Sequence, residues 1–284
     1  MKVKIFGYRG PYNATERIET ELVKRGHELS DTPEIVYHVN GLYDDAEEFC
    51  NKLSYKPKKI YNLLDIDVSK INTGFYDKAK QQLESADEIC AISNVVKNQM
   101  EHHFGIKKNI NVVPYPIRPI TNLNFYRGID FSYVGRVYSP NKRFNLILST
   151  LAKMRLNSGV LAVVGIEKPH AGVYVGTLPD DLLNEFYNSS KFVFLLSAFE
   201  GQGCTAIEAV MAGSYPILCN DNPMVKELGL EDFAAYPNAE EVALKLININ
   251  QSPKFYDEII KKRAEEYRKK FTIEAVVDKI EGLF

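Results

Sequence analysis

The chain has 284 residues, of which 45% are apolar, with 35 basic against 37 acidic side chains for a net charge of -2. At roughly 100–200 residues per domain this length favours two domains, and the composition excludes wholesale disorder, a collagen-like fibre and a small disulfide scaffold. So even a charge balance supplies no overall positive field, and no nucleic-acid partner is expected.

Met1-Lys-Val-Lys-Ile-Phe6 is too short an apolar run for a secretory signal. No later stretch approaches the roughly 18–20 apolar residues of a membrane span, so a cytoplasmic address is expected. Short apolar runs at 3–6, 35–39, 60–64, 88–92 and 111–113 read as strands. Leu, Ile, Val and Ala recur at three- and four-residue intervals over 14–26, 75–86 and 94–104, which predicts helices. Asn13-Ala-Thr-Glu16 has the spacing of a capping box at the first of these. Three prolines within the run from Pro114 to Pro119 remove amide donors and mark an interdomain linker. A second series follows, with strands near 130–135, 160–165, 172–176, 191–197 and 215–219, and helices near 143–156, 179–189, 204–213 and 238–249. The run Phe192-Val-Phe-Leu-Leu196, apolar on both faces, suits a central strand of a sheet covered on both sides. Residues 254–284 read as charged helix interrupted near 271–274, where Thr272 is placed to cap a final helix. Strand–helix alternation predicts an α/β chain of two tandem Rossmann-like domains, 1–118 and 119–271, with the helix at about 272–284 packing back on the first. The basic segments 56–59 and 261–270 are of the kind that touches an acidic membrane surface. Glu265 and Glu266 dilute the second, however, and a solvated helix face is the expectation.

The four cysteines, Cys50, Cys90, Cys204 and Cys219, show no zinc or disulfide spacing. Chemistry concentrates instead in Ser197-Ala-Phe-Glu-Gly-Gln-Gly-Cys-Thr-Ala-Ile-Glu-Ala-Val-Met-Ala-Gly213, directly after the most apolar strand. A glycine turn between strand and helix lets backbone amides approach an anion at the helix start, and Gly201 and Gly203 supply that access. They do not form the GxGxxG fingerprint, so no nicotinamide or flavin cofactor is implied. Glu200 stands at the mouth of the turn with no evident structural duty, and has two readings: a carboxylate suited to accept from two neighbouring sugar hydroxyls, or a solvated turn residue. Glu208 has two readings on spacing alone: a ligand group, or the last residue of a capping box Thr205-Ala-Ile-Glu208. A second loop, Tyr133-Val-Gly-Arg-Val-Tyr-Ser-Pro-Asn-Lys-Arg-Phe144, carries Gly135 for close approach and Arg136 and Lys142, a guanidinium and an ammonium that suit a diphosphate without a metal.

Together Gly135-Arg136, Lys142 and Glu200-Gly-Gln-Gly-Cys-Thr-Ala-Ile-Glu208, continued by Ala209-Val-Met-Ala-Gly213, resemble the retaining GT-B glycosyltransferases of family 4. Ala86-Asp-Glu-Ile-Cys-Ala-Ile-Ser93, Ile110-Asn-Val-Val-Pro-Tyr-Pro116 and Arg25-Gly-His-Glu28 are similar to further family segments. The resemblance is dense over 86–228 and thin before it. It implies a GT-B fold with the active site in the interdomain cleft, a nucleoside-diphosphate-sugar donor on the second domain, and a glycan, lipid or other small acceptor on the first. Arg136 and Lys142 would then hold the donor diphosphate, Glu200 the donor sugar and Glu208 the ribose hydroxyls. Residues Gly203, Cys204 and Thr205 would lie against phosphate or sugar, with Cys204 a small lining residue. Gly7, Gly10 and His38 are the acceptor-side candidates, and base recognition falls to residues 166–178. The family's usual histidine is replaced by Leu64 and Asp65, so Asp65 is the candidate substitute. Asp65-Ile-Asp67 also resembles the metal-binding DxD of the other transferase fold, whose single domain does not fit two alternating series; no metal is expected. The alternatives to a transferase are a GT-B nucleotide-sugar epimerase and a degenerate module that binds nucleotide sugar or glycan without transfer.

Overall fold

A computed structural model of the chain describes residues 1–7, 14–39, 45–64, 66, 74 and 76–284. It divides into two compact units, one of residues 1–116 with 270–284 and the other of residues 117–269. In the first, β1 (Lys2–Phe6), α1 (Ala14–Lys24), β2 (Glu28–Leu29), β3 (Ile35–His38), α2 (Asp45–Asn51), β4 (Lys58–Leu63), α3 (Asp77–Ser85), β5 (Glu88–Ala91), α4 (Asn94–Gln99) and β6 (Ile110–Val112) follow in chain order. All described strand pairs of its sheet are parallel, in the order β2-β1-β3-β4-β5-β6. Two short elements escape the periodicity: β2 is a two-residue edge strand and α2 has seven residues, both below the length at which an apolar pattern repeats. Met100–Phe104 continues α4 as one wider turn, stopped by Gly105 at φ +65°. Asn13, the expected cap of α1, lies outside the described residues.

The second unit runs β7 (Ile129–Val134), α5 (Phe144–Lys153), β8 (Leu161–Val164), β9 (Val173–Gly176), α6 (Asp180–Ser189), β10 (Ser190–Leu195), α7 (Cys204–Ala212), β11 (Tyr215–Cys219), α8 (Met224–Leu228), β12 (Ala234–Ala235), α9 (Ala239–Gln251) and most of α10 (Pro253–Phe271). Its sheet, again parallel, is ordered β12-β11-β10-β7-β8-β9, so the apolar β10 is central. The Phe131 ring on β7 stacks on Phe192 and Phe194 of β10 at 5.7 and 5.9 Å, a cross-strand aromatic ladder that fixes their register. Basic side chains of α10 meet carbonyls at two helix C-termini: Arg268 donates to Met211 O of α7 at 2.8 Å and Arg263 to Gly229 O after α8 at 3.0 Å. Cations at those positions complement the negative end of the helix dipole. The basic segment at 261–270 thus mixes solvated lysines with arginines that have structural partners.

The final helix, α11 (Ile273–Glu281), belongs to the first unit, and Thr272 caps it by accepting from Ala275 N. Val276, Val277 and Ile280 are fully buried against Val3, Ile5, Ile18 and Leu22, burial that stabilises by several kcal/mol at about 1.5–3 kcal/mol per side chain. A charged clasp completes the contact. Arg25, just after α1, donates to Glu21, Asp278 and Glu281 at 2.6–2.9 Å and to Glu274 O at 3.1 Å, while His27 meets Glu281 at 2.8 Å. The Arg25 hydrogen bond, foremost, holds the Glu21 carboxyl below its ordinary value of 4.5. Burial pulls Glu281 upward, but His27 and Arg25 outweigh it and hold that carboxyl low as well. Carboxyls depressed in the folded state add stability above their ordinary value and lose it as pH falls through their folded values. Arg25→Ala is expected to cost about 2 kcal/mol near neutral pH. The gap to wild type should narrow as pH falls from about 5 towards 3, which denaturant melts over that range would check.

Candidate functional site

The second sheet reverses its direction of growth at β7. From that strand the chain adds β8 and β9 on one side, then crosses to add β10 and β11 on the other. In open α/β sheets ligands bind beyond the carboxyl ends of the strands at such a switch point. The loop after β7 carries Gly135, Arg136 and Lys142, and the loop after β10 carries Glu200 to Thr205, so both candidate loops leave the sheet there.

Close backbone packing shapes the first loop. Gly135 has φ +149° and donates to Val164 O at 3.0 Å, and a Cβ on Gly165 would stand 2.3 Å from Gly135 O, so both positions exclude a side chain. Tyr133 Oη donates to Arg136 O at 2.8 Å, while the Arg136 side chain is exposed and makes no ion pair with any described residue. A short helical turn at Pro140–Lys142 follows, ended by Arg143 in the left-handed region. Arg143 forks onto Asp221 beyond β11 at 2.9 and 2.5 Å.

Asn141 joins the two loops. Its side-chain amide donates to Phe199 O at 2.8 Å and accepts from Phe199 N at 3.0 Å, and its backbone carbonyl accepts from Ala198 N at 3.0 Å. That stitching sets Lys142 Nζ 2.5 Å from Glu200 Oε1, with the two side chains only 19% and 15% exposed. Glu200 therefore has a structural duty that its sequence context did not reveal: it neutralises Lys142. Nothing local signals Asn141, because its partners Ala198 and Phe199 lie 57 and 58 residues away.

Helix α7 starts at Cys204. Gly203 precedes it at φ +74°, where a Cβ would meet Leu228 Cδ1 at 3.3 Å, and no side chain caps the helix. The capping-box reading of Thr205 and Glu208 is thereby corrected: Thr205 already lies inside the helix, so Glu208 is too far along to serve its first amides. Glu208 instead turns into the unit. Its Oε1 accepts from Arg118 Nε at 3.0 Å and its Oε2 from Tyr187 Oη at 2.7 Å, and Arg118 Nη1 also donates to Asp180 at 2.9 Å. Arg118, 6% exposed, comes from the proline-rich stretch read as linker, and Tyr187 and Asp180 come from α6. A glycine-capped helix start suits an approaching anion. At the other end, Gly213 caps α7 at φ +87°, its carbonyl accepting from Arg127.

A cysteine at a helix start commonly has a depressed pKa. Here burial foremost, aided by Glu208 and Glu200, pushes the Cys204 thiol up to about 12, so this half-buried side chain stays protonated. Burial, again aided by Glu208, raises the Tyr187 hydroxyl well above its ordinary value, so it stays a donor to Glu208.

No family model matches the chain, and no curated protein sequence matches it. Solved structures do. Anabaena HepE in complex with UDP-glucose aligns with 100% of this chain and 99% of its own at TM-score 0.76 and 13% identity. Sucrose-phosphate synthase from Thermosynechococcus elongatus covers 94% of this chain and 75% of its own, at 0.73 and 14%. A glycosyltransferase from Rickettsia africae covers 98% and 82%, at 0.68 and 15%. The chain has the GT-B fold. It shares that architecture with glycosyltransferases at an identity that speaks for the fold alone.

In the first unit of this GT-B chain, Gly7 and His38 stand at the carboxyl ends of β1 and β3, paired across the sheet's own switch point with Phe6 opposite His38. A Cβ on Gly7 would stand 2.6 Å from Thr15 Oγ1 and 2.9 Å from Val39 Cβ, so packing alone requires glycine there. The His38 ring is fully buried, edge-on to Phe6 and Tyr61 at 6.4 and 5.4 Å. Gly10, Asp65 and Asp67 lie outside the described residues. Among the described residues no helix is long and apolar enough to cross a membrane.

All four thiols are raised. Burial takes Cys90 to about 12 and Cys219 to about 11, and burial foremost, then Glu47, lifts Cys50. Native protein at pH 8 should therefore resist iodoacetamide, and denatured protein should take up four labels per chain, as intact-mass measurement would show.

Proposed function

We propose that this chain is a glycosyltransferase that moves a sugar from a nucleoside diphosphate to a glycan, lipid or other small acceptor. The observation that carries the reading is the convergence, at the switch point of the second sheet, of Lys142 paired with Glu200, exposed Arg136 and the glycine-capped start of α7. A diphosphate needs such a setting: two cations to meet its charge and backbone amides to approach its oxygens.

In the proposed reaction the bond from the sugar's anomeric carbon to the diphosphate oxygen breaks and a bond to an acceptor hydroxyl forms. Negative charge grows on the leaving diphosphate, where Arg136 and Lys142 stabilise it more than in the ground state. Glu200 contacts the donor sugar and Glu208 the ribose hydroxyls. The family 4 resemblance of these motifs supports retention of configuration, with a leaving phosphate oxygen taking the acceptor's proton, and chemistry that needs no metal. UDP-glucose in the HepE structure is consistent with a donor of this class.

The Lys142–Glu200 contact sharpens the test. Free diphosphate must compete with Glu200 for Lys142, so Glu200→Ala frees a cation while removing a sugar contact. With EDTA in every sample, the variant should bind its nucleoside diphosphate as tightly as wild type or several-fold more tightly, yet turn over donor about a hundredfold more slowly. Arg136→Ala with Lys142→Ala should abolish the thermal shift given by nucleoside diphosphates. Wild-type turnover in Glu200→Ala would overturn its role. No shift with any nucleotide would overturn donor binding, and donor conversion without acceptor would indicate an epimerase instead.

A further inference from the structure

The face of α6 is ruled at intervals that match an extended strand laid along it. Asp180 receives Arg118 at 2.9 Å, Asn184 Oδ1 receives Thr121 N at 3.1 Å, and Asn188 Oδ1 receives Leu123 N at 2.7 Å. These acceptors lie four residues apart on the helix and so share one side of it. The segment from Arg118 to Leu123 is thereby held in place by α6, with prolines at 116 and 119 restricting the backbone on either side of Arg118.

Asp180 and Tyr187, seven residues apart, are two turns apart on the same side. They form the two ends of one chain of contacts: Asp180 to Arg118, Arg118 to Glu208, Glu208 to Tyr187. Only a guanidinium spans both carboxylates this way, with Nε on one and Nη1 on the other. Each oxygen of Glu208 is engaged by a different element, so its carboxylate is fixed in rotation as well as in place. Arg118 is 6% exposed, Glu208 5%, and Tyr187 fully buried, so none of the three has a bulk-water substitute for these contacts.

We propose that Arg118 and Tyr187 are positioning residues that orient Glu208 towards the ribose of the donor, so that the discrimination of ribose from deoxyribose depends on side chains that do not touch the nucleotide. The inference rests on the reading of Glu208 as the ribose contact. Arg118 fixes Oε1 and Tyr187 fixes Oε2, and α6 carries the reference frame for both. A carboxylate that must serve two vicinal hydroxyls gains from this, because a small rotation sacrifices one of the two hydrogen bonds.

The full-length protein would be titrated calorimetrically with UDP, GDP and ADP, each against its 2′-deoxy form, and with inorganic pyrophosphate. Variants are Arg118→Lys, Tyr187→Phe and Glu208→Gln, each with its thermal melt recorded. Wild type is expected to prefer the ribose form of its nucleotide by about tenfold, with Glu208→Gln erasing most of that preference. Tyr187→Phe and Arg118→Lys should each cut the preference at least about threefold while leaving pyrophosphate affinity unchanged. A merely structural role would lower the melting temperature and leave the ratio alone. Folded variants that keep the wild-type ratio, beside a Glu208→Gln that loses it, would overturn the proposal and spare the Glu208 reading. A wild type that binds nucleotide without preferring ribose, or a Glu208→Gln that retains the preference, would overturn both. If Arg118→Lys does not fold, Tyr187→Phe, which removes one buried oxygen and no charge, decides the matter.

Discussion

The parallel pairing of β7 with β10 is the constraint on which the candidate site depends. These strands are not consecutive, yet Phe131 and Tyr133 of one stand opposite Phe192 and Phe194 of the other, locked by stacked rings. Because parallel strands end on the same side of a sheet, the pairing releases two loops at one place. Asn141 then needs only three hydrogen bonds to Ala198 and Phe199 to align them, and Lys142 and Glu200 meet as a result.

Helix α7 illustrates how polarity is distributed around such a site. Its C-terminal carbonyls are held by Arg268 and Arg127, the charge placement a helix dipole favours, while its N-terminus begins on a glycine with no side chain in attendance. A side-chain cap would add stability to the isolated helix, typically about 1 kcal/mol, and would also occupy the amides that an anion needs. The side-chain partners that stabilise this nine-residue element therefore gather at one end, and its other end keeps its amides clear of a side-chain cap.

Charge is handled differently in the two units. The first uses its ions for attachment: Arg25 gathers Glu21, Asp278 and Glu281 at the edge of an apolar contact already made by Val276, Val277 and Ile280. The second buries ions for placement. Arg118 and Glu208 gain little net stability from being buried together, since desolvation consumes most of their attraction, but they gain a defined geometry. A hydrophobic replacement could not supply that geometry.

Strand and helix positions were legible because burial on two faces of a parallel sheet imposes apolar runs, and burial on one face of a helix imposes a repeat of three and four. Elements too short to repeat, such as β2, α2, α8 and β12, left no such trace. The glycine turns and the charged residues around them were equally legible, since left-handed backbone at Gly203 leaves glycine as the residue free of strain. Partnership was not. Glu208 satisfies a capping-box spacing in sequence and has a different partner in space, and Arg118 looks like one charge among prolines until α6 is laid beside it. The sequence by itself determined the alternation of elements, and with it the fold class and the loops that carry charge, because periodicity and backbone conformation are local properties. Only the tertiary structure decided which charges face one another, because Lys142 with Glu200 and Arg118 with Glu208 are joined by strand order across 58 and 90 residues, a distance over which no local pattern carries information.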